Sequence, residues 1–250
     1  MILSSIKDLS IVVTGGASGI GSATAELLST SGAQVTSFDI EKRTEELPWK
    51  QRVVDLRDEA SVQNAIEATA EDKGKIDVLV NNAGMSFEGN IEEGTEEDWF
   101  HLWNINVMGY VRTMRSALPY LRKSQNAVII NVISCTAATG IPRRSLYSAT
   151  KGAVHSLSLS AAADLIKENI RVSIVNPGTV DTPFMDDLAD KSDDRERSRD
   201  YFHKRQPMGR MINPNEVASA ITYLASPDAA PAVGTVLTVD GGIENLRLFS

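Results

Sequence analysis

The sequence predicts one α/β domain, a doubly wound sheet of seven parallel strands flanked by helices. Short, continuous apolar runs such as residues 76–80 are typical of strands that are buried on both faces of a parallel sheet. These runs alternate with longer segments of helical periodicity, and most end beside glycine, asparagine or aspartate. With 250 residues, 42% of them hydrophobic, and no segment that resembles a linker, we expect a single domain over residues 1–250.

The elements follow one another in a regular order along the chain. The predicted strands cover residues 10–14, 34–38, 52–56, 76–80, 127–133, 171–175 and 236–239. Six predicted helices lie between them: one after a glycine cluster up to residue 29, then 60–73, 96–122, 147–168, 184–208 and 215–226. Asn106 is a poor helix former inside 96–122, so either the helix is locally distorted or the side chain faces solvent. The charge-rich segment 184–208 is expected to form an exposed helical excursion of the kind that serves as a lid.

The composition excludes several classes of function. A net charge of −8 disfavours a broad basic surface for nucleic acid or anionic membranes. No apolar run approaches the roughly 20 residues of a membrane span, and the first residues lack the pattern of a signal peptide, so a cytoplasmic protein is expected. The single cysteine, Cys135, excludes an internal disulfide, and the three histidines have no metal-ligand spacing, so no metal site is expected.

A glycine cluster separates the first strand from the first helix. Gly15, Gly19 and Gly21 would let the backbone approach a pyrophosphate closely, and the positive end of the helix then favours the anion. A plain turn has a similar composition. Asp39 ends the next strand eighteen residues beyond Gly21, near the place where this fold binds an adenosine ribose through a carboxylate. This coincidence favours a dinucleotide site over a plain turn.

Two further strand ends carry polar groups. Asp55 lies at the end of the third predicted strand, where it either reaches the adenine amino group or caps the helix that starts near Ala60. Residues 81–84, Asn-Asn-Ala-Gly, follow the fourth strand. The two asparagines could brace neighbouring strands while the glycine leaves space for a ligand, although an ordinary loop of turn formers has the same composition.

Candidates for proton transfer lie at the start of the helix 147–168. Tyr147 precedes Lys151 by four residues, which places both on one helical face. A tyrosine with a pKa of about 10 is a poor base at neutral pH, and a nearby ammonium group can lower that pKa by stabilising the phenolate. Ser134 follows strand 127–133 at the carboxyl edge of the sheet, where its hydroxyl can hold a substrate oxygen. Alone, the Tyr-x-x-x-Lys spacing occurs by chance on many helices.

Several motifs occur in an order and spacing that resemble the short-chain dehydrogenase/reductase family over essentially the whole chain: Thr14-Gly15-x-x-x-Gly19-Ile20-Gly21, Asp55, Asn81-Asn82-Ala83-Gly84, Asn106, Ser134, Tyr147-x-x-x-Lys151 and Pro177-Gly178. The resemblance implies a Rossmann fold. It also implies that a serine, a tyrosine and a lysine bind and protonate or deprotonate the substrate oxygen, and that an asparagine joins a water relay to the lysine. Those catalytic roles fall on Ser134, Tyr147, Lys151 and Asn106.

The resemblance also implies a bound dinucleotide and a homotetramer. The expected cofactor contacts are Gly15, Ser18, Gly19, Ile20, Gly21, Asp39, Ile40, Asp55, Leu56, Asn82, Ala83, Gly84, Tyr147, Lys151, Pro177, Gly178, Val180 and Thr182. NAD is expected rather than NADP, because the Asp39 carboxylate would repel a 2′-phosphate, an effect that Lys42 and Arg43 could soften. Relatives pair through segments that match 96–122, 147–168 and 236–239. One departure from the family pattern is Ile243, where relatives often carry tryptophan.

The expected substrate is a small acid. Arg144 precedes Tyr147 by three residues and Arg205 lies in the expected lid, and guanidinium groups bind carboxylates through paired, charge-assisted hydrogen bonds. Ser134 and Tyr147 would then hold the reacting oxygen. The surrounding sequence resembles 2-keto-3-deoxy-sugar-acid dehydrogenases and cytosolic-type 3-hydroxybutyrate dehydrogenases. Alternatives are a free-sugar dehydrogenase, a reductase of acyl-carrier substrates and a non-catalytic NAD-binding regulator. The two arginines could instead be solvated or paired with lid acids such as Asp186.

Overall fold

The computed structural model describes residues 6–71, 73–190, 192 and 194–248. Its strands are β1 (Ser10–Thr14), β2 (Gln34–Asp39), β3 (Lys50–Val53), β4 (Val78–Asn81), β5 (Val128–Val132), β6 (Arg171–Pro177) and β7 (Val236–Val239). They form one parallel sheet in the order β3-β2-β1-β4-β5-β6-β7, which confirms the predicted doubly wound sheet. The order reverses between β1 and β4, so a crevice opens there at the carboxyl ends of the strands.

Helices cover both faces of the sheet. They are α1 (Gly19–Thr30), α2 (Glu59–Ala70), α3 (Glu96–Trp103), α4 (Gly109–Leu121), α5 (Ser145–Leu165), α6 (Pro183–Asp190), α7 (Arg195–Lys204) and α8 (Pro214–Ala225). Helices α1 and α8 pack on one face, while α2, α4 and α5 pack on the other. Among the described residues, no helix has the length and apolar character needed to cross a bilayer.

The core consists of two apolar layers, one on each side of the sheet. Ile11 and Val13 of β1 enter the layer beneath α1 and α8, and Val12 enters the opposite layer. Alternate residues of a strand point to opposite faces, so a strand covered on both sides must be apolar throughout. Each fully buried aliphatic side chain contributes about 1.5–3 kcal/mol. The continuous apolar runs of the sequence are explained by this arrangement.

The third strand begins and ends earlier than the predicted 52–56. β3 lies at the edge of the sheet and pairs only with β2, and its last residue, Val53, is 63% exposed. The chain then turns, because the Asp55 carboxylate accepts a hydrogen bond from the backbone N–H of Arg57 at 2.9 Å, the pattern of an Asx-turn. Asp58, rather than Asp55, caps α2 by accepting from the N–H of Ala60. The capping interpretation of Asp55 is therefore wrong.

Two predicted helical segments are each divided. Segment 96–122 consists of α3, a π-helical turn over Asn104–Met108 and α4. Asn106 lies in that turn with no exposed surface, so the predicted distortion is confirmed and the solvent-facing alternative is wrong. Segment 184–208 forms α6 and α7, which share a small apolar cluster made of Met185, Leu188, Ala189, Phe202 and Met211.

Candidate active site

A cavity with a volume of about 530 Å³ lies at the crevice between β1 and β4. Ligand sites of small molecules typically enclose about 300–1,000 Å³. Its walls include most of the predicted cofactor contacts: Gly15, Ser18, Gly19, Ile20, Asp39, Ile40, Asp55, Leu56, Asn82, Ala83, Gly84, Tyr147, Lys151 and Thr182. Gly178 and Val180 line a smaller neighbouring cavity, whereas Gly21 and Pro177 line neither. The sequence therefore identified most of one continuous surface.

The glycine turn after β1 is held in place by backbone conformation and by β4. Gly15 and Gly19 have φ values of +72° and +53°, which favour glycine. A Cβ at Gly21 would overlap the carbonyl oxygen of Gly15, so glycine is required there for close packing of the turn on α1. Asn82 Nδ2 donates to the carbonyl oxygen of Thr14 at 3.0 Å. The Asn82 amide thus links the end of β4 to the end of β1, and the glycines of the turn add no side chains there that would fill the cavity.

Asparagine also braces the next pair of strands. Asn81 Nδ2 donates to Asn131 Oδ1 at 2.9 Å, and Asn81 Oδ1 accepts from Thr113 Oγ1 at 2.7 Å. All three side chains are fully buried. The predicted bracing of neighbouring strands by the asparagine pair 81–82 is thus observed, because each asparagine joins its strand to a different neighbour.

The Asp39 carboxylate is fixed at the end of β2 beside the large cavity. Its Oδ2 accepts from the backbone N–H of Ala17 at 2.9 Å, and its Oδ1 accepts from that of Glu41 at 3.4 Å. Arg43, the nearest arginine in sequence, is engaged elsewhere. It donates to Ser22 Oγ at 2.6 Å and forms an ion pair with Glu45.

Asp55 borders the same cavity but already has a partner. Arg57 donates three side-chain hydrogen bonds to the two carboxylate oxygens of Asp55, and this contact lowers the pKa of Asp55 below its ordinary value. Arg57 lines the cavity too and was not identified from the sequence. An adenine amino group would therefore compete with a guanidinium for the Asp55 oxygens.

Tyr147 and Lys151 lie on the first two turns of α5 and border the cavity beside Gly84. Lys151 Nζ lies 5.8 Å from the centre of the Tyr147 ring and donates to the carbonyl oxygen of Val132 at 3.1 Å. A Cβ on Gly84 would lie 3.5 Å from Lys151 Nζ and 3.1 Å from Asn106 Oδ1. The helix thus brings the tyrosine and the lysine to one wall of the cavity, and the buried Asn106 lies behind that wall at Gly84.

The electrostatics of the tyrosine and lysine differ from the expectation. Burial raises the pKa of Tyr147 to about 12, against the smaller opposing effects of the Arg144 charge and a hydrogen bond with Ser134. Burial also lowers the pKa of Lys151 to about 8. The expected lowering of the Tyr147 pKa by Lys151 is therefore wrong for the protein alone, because desolvation of the phenolate outweighs the charge effects.

A smaller cavity of about 80 Å³ adjoins Tyr147 on the other side and is lined by Ser86, Ser134, Thr136, Arg144, Thr179 and Arg205, among others. Arg144 is only 8% exposed and donates to Ser86 Oγ at 3.0 Å. Arg205 donates to Thr179 Oγ1 at 2.6 Å and lies 5.1 Å from the centre of the Phe202 ring. Burial lowers the pKa of both guanidinium groups.

Neither arginine forms a direct ion pair with an acid of the described residues, although the charge of Glu88 acts on Arg144. The bonds recorded for Arg144 and Arg205 go to hydroxyl and carbonyl oxygens rather than to carboxylates. Asp186, the proposed partner, instead pairs with Arg195 and Arg199. The predicted substrate arginines therefore lie together on a cavity next to Ser134 and Tyr147.

Thr136 is a site residue that sequence reasoning missed. Its side chain is 8% exposed, lines the smaller cavity, and its Oγ1 has no hydrogen-bond partner. Buried hydroxyl groups normally have a partner, so the unpaired hydroxyl of Thr136 is an exception at the wall of this cavity. Its position two residues after Ser134 is the only signal that the sequence offers.

The crevice defines the class of this chain as a nucleotide-binding α/β protein whose ligand site also carries acid–base groups. A family model described as enoyl-(acyl carrier protein) reductase matches residues 15–244. The chain belongs to the short-chain dehydrogenase/reductase family and is an oxidoreductase that acts on CH–OH groups with a nicotinamide cofactor.

Curated relatives and solved structures match almost the entire chain. Dehydrogenase/reductase SDR family member 6 of Rattus norvegicus is 38% identical and covers 93% of this chain and 96% of its own. Cis-4-hydroxycyclohexanecarboxylate dehydrogenase of Sinomonas cyclohexanicum is 37% identical and covers 92% and 94%.

Two solved structures superimpose closely on this chain. Aldohexose dehydrogenase of Thermoplasma acidophilum has a TM-score of 0.93 at 32% identity, covering 100% of this chain and 99% of its own. 3-Ketoacyl-(acyl-carrier-protein) reductase of Brucella melitensis complexed with NADH has a TM-score of 0.85 at 31% identity, covering 96% and 100%.

Proposed function

We propose that the protein is an NAD-dependent dehydrogenase that oxidises a secondary alcohol of a small acidic substrate. The favoured substrate is a 2-keto-3-deoxy sugar acid, such as 2-keto-3-deoxy-L-rhamnonate or 2-keto-3-deoxy-L-fuconate. A 3-hydroxybutyrate-type acid and a free sugar come next. The observation that carries the proposal is a pair of guanidinium groups, those of the buried Arg144 and the half-buried Arg205, beside Ser134 and Tyr147.

The charge of this cavity supports an anionic ligand. Removing a guanidinium from water is costly unless a partner of opposite charge compensates, and the described residues supply only neutral oxygens. A substrate carboxylate would satisfy both arginines through charge-assisted hydrogen bonds. The relative from Sinomonas cyclohexanicum is named for a hydroxy acid, which is the same class of substrate.

The proposed chemistry assigns one task to each polar group. Ser134 holds the substrate oxygen, Tyr147 takes the hydroxyl proton, and Lys151 and Asn106 support the transfer of that proton towards water. NAD accepts the hydride when it is bound, and the glycine turn and the wall of the large cavity would hold it. The raised pKa of Tyr147 implies that oxidation becomes faster as the pH rises.

We favour NAD because of the carboxylate at residue 39. Two backbone N–H groups hold Asp39 at the cavity wall, where it can accept hydrogen bonds from ribose hydroxyls and would repel a 2′-phosphate. Arg43 offers little compensation, since Glu45 and Ser22 already engage it.

Two further proposals concern closure and assembly. Residues 184–208 would act as the substrate lid, since the Phe184 ring lies 6.1 Å from that of Tyr147.

A homotetramer is supported by exposed apolar side chains on the long helical segments, where Phe100 is 71% and Leu159 is 42% exposed. Light scattering that gives a 27.1 kDa particle at micromolar concentration would contradict the tetramer.

A substrate panel with three arginine variants tests the acidic substrate. NADH formation would be followed at 340 nm with 2-keto-3-deoxy sugar acids, 3-hydroxy acids and free sugars. Arg144→Met and Arg205→Met should each raise KM for the best acid at least tenfold. Arg143→Met is the matched control, because this exposed neighbour pairs with Glu88 and Glu93 and should leave KM within twofold.

The panel also separates this proposal from its rivals. A neutral sugar that is turned over as efficiently as any acid, with activity retained in both the Arg144 and the Arg205 variant, would exclude the carboxylate clamp. Reduction of acyl-carrier substrates is the second candidate, favoured by the description of the matching family model and by the Brucella melitensis structure. Efficient ketoacyl reduction would support it. Cofactor binding without turnover of any substrate would support a regulator.

A further inference from the structure

Arg112, on the second half of the divided segment, bonds to two distant parts of the active-site wall. Its Nη1 donates to the carbonyl oxygen of Leu56 at 3.0 Å and to that of Asn104 at 3.1 Å, and its Nη2 donates to Asn104 Oδ1 at 2.7 Å. Leu56 lines the large cavity, and Asn104 is the first residue of the π-helical turn. One guanidinium therefore joins the cofactor wall to the turn that carries Asn106.

The π-helical turn determines where the Asn106 side chain points. The N–H of Gly109 bonds to the carbonyl oxygen of Asn104, one residue further back than in an α-helix. An extra residue in a turn rotates what precedes it by about 100° about the helix axis. In the observed position the Asn106 amide accepts from the N–H of Met85 at 2.8 Å and donates to Thr150 Oγ1 at 3.1 Å.

The carbonyl oxygen of Asn104 accepts from both the N–H of Gly109 and the guanidinium of Arg112, so the Arg112 side chain helps to hold this oxygen in the π-helical position. On the other side, a Cβ on Gly109 would lie 3.2 Å from Leu56 Cβ, which means that the helix rests directly on the cofactor wall. A shift of the Leu56 loop would therefore displace the end of the turn at Gly109.

We propose that Arg112 is a positioning residue that keeps the Asn106 turn in register with the cofactor wall. The inference rests on the proposed roles of Asn106 and Lys151 in proton transfer. Arg112 lines neither of the two cavities, and it would act through Asn104 and Leu56. Its loss would therefore impair proton transfer and cofactor binding together.

The test compares four variants by NADH titration and steady-state kinetics with the best acid of the substrate panel. Arg112→Met should lower kcat about 10- to 100-fold, the usual range for a residue that orients a catalytic group. It should also weaken NADH binding several-fold and move the alkaline rise of kcat to higher pH. Arg112→Lys should fall between Arg112→Met and wild type, since one ammonium cannot reach all three acceptors. Arg115→Met, on the exposed side of α4, should stay within twofold.

The fourth variant, Asn104→Ala, removes only the Oδ1 contact and should lower kcat while NADH affinity stays within twofold. It carries the test together with Arg112→Lys if Arg112→Met does not fold. Unchanged kcat, NADH affinity and pH profile in these variants, with at most a lower unfolding midpoint, would overturn the proposal. A Tyr147→Phe variant measured in parallel distinguishes the failures: if it keeps turnover, the proposed catalytic roles are wrong rather than the role of Arg112.

Discussion

Replacement of Lys151 by methionine should stabilise the protein at neutral pH while abolishing its turnover. Lys151 is 3% exposed, and the contacts described for its ammonium group are the carbonyl oxygen of Val132 and the faces of Tyr110 and Tyr147. No carboxylate bond is recorded for it in the described part of the chain. Burial consequently lowers its pKa from 10.5 to about 8.

The size of the effect follows from that pKa. At about 1.4 kcal/mol per pKa unit, the difference between 10.5 and about 8 means that the charged lysine costs the folded state about 3 kcal/mol. Methionine removes this cost but loses the hydrogen bond to Val132, worth about 1 kcal/mol. That carbonyl oxygen keeps a donor, since Tyr110 Oη lies 2.9 Å away. The variant should therefore gain about 2 kcal/mol at pH 7.

The advantage should shrink as the pH rises. Below the folded-state pKa of about 8, Lys151 is charged in both states and the folded state bears the full cost. Between about 8 and 10.5 the folded protein has released the proton while the unfolded chain still holds it, so wild-type stability rises with pH. From pH 7.5 to 9.5 the difference between variant and wild type should fall by about 2 kcal/mol.

Guanidinium chloride unfolding of both proteins at pH 7.5 and 9.5, without cofactor, measures this difference. Lys167→Met is the matched control, because this exposed lysine should give a difference near zero at both pH values. A Lys151→Met protein that is less stable than wild type at pH 7.5, or whose advantage does not change with pH, would refute the reasoning.

Three other outcomes are expected. Gly21→Ala should weaken NADH binding at least tenfold, because its Cβ would overlap the Gly15 carbonyl oxygen, whereas Gly140→Ala, with open space around it, should bind normally in the same fluorescence titration. Asp39→Ala should reduce the preference for NAD, measured as the ratio of kcat/KM with NAD to kcat/KM with NADP. A wild-type protein with equal kcat/KM for the two cofactors would contradict the proposed role of Asp39. The rate of oxidation should rise into the alkaline pH range, because the pKa of Tyr147 is raised. Tyr147→Phe should fold and bind NADH, but its kcat should fall by about 1,000-fold, since a general base usually contributes about 100- to 10,000-fold.

The sequence predicted the sheet well because its strands are covered on both faces. A buried strand such as β5 is apolar except at Asn131, whose side chain bonds to Asn81, and such short, nearly continuous apolar runs distinguish the central strands from the helices. The edge strand β3 gave the one misplaced strand, since its exposed residues leave only the turn at Asp55 to determine where it ends. Backbone bonding, rather than hydrophobic pattern, decides such a boundary.

The candidate site could be predicted only where a motif carries the information. Arg57 and Thr136 lie in no distinctive motif. The proposed role of Arg112 depends on its contact with Leu56, which is 56 positions away in the chain. The raised pKa of Tyr147 in the protein alone was not predicted, because the cost of burying a phenolate depends on the surrounding fold and not on the local Tyr-x-x-x-Lys spacing.

Three positively charged side chains of the site are removed from water without a carboxylate partner. Lys151, Arg144 and Arg205 are each desolvated, each has its pKa lowered by burial, and none has a carboxylate bond among the described residues. A chain of net charge −8 has many acids that could neutralise them, yet Asp186 pairs with Arg195 and Arg199 instead. Under the proposed function, the stability lost to the desolvated charges of Arg144 and Arg205 is recovered when an anionic substrate binds, so the same feature that weakens the empty protein selects its ligand.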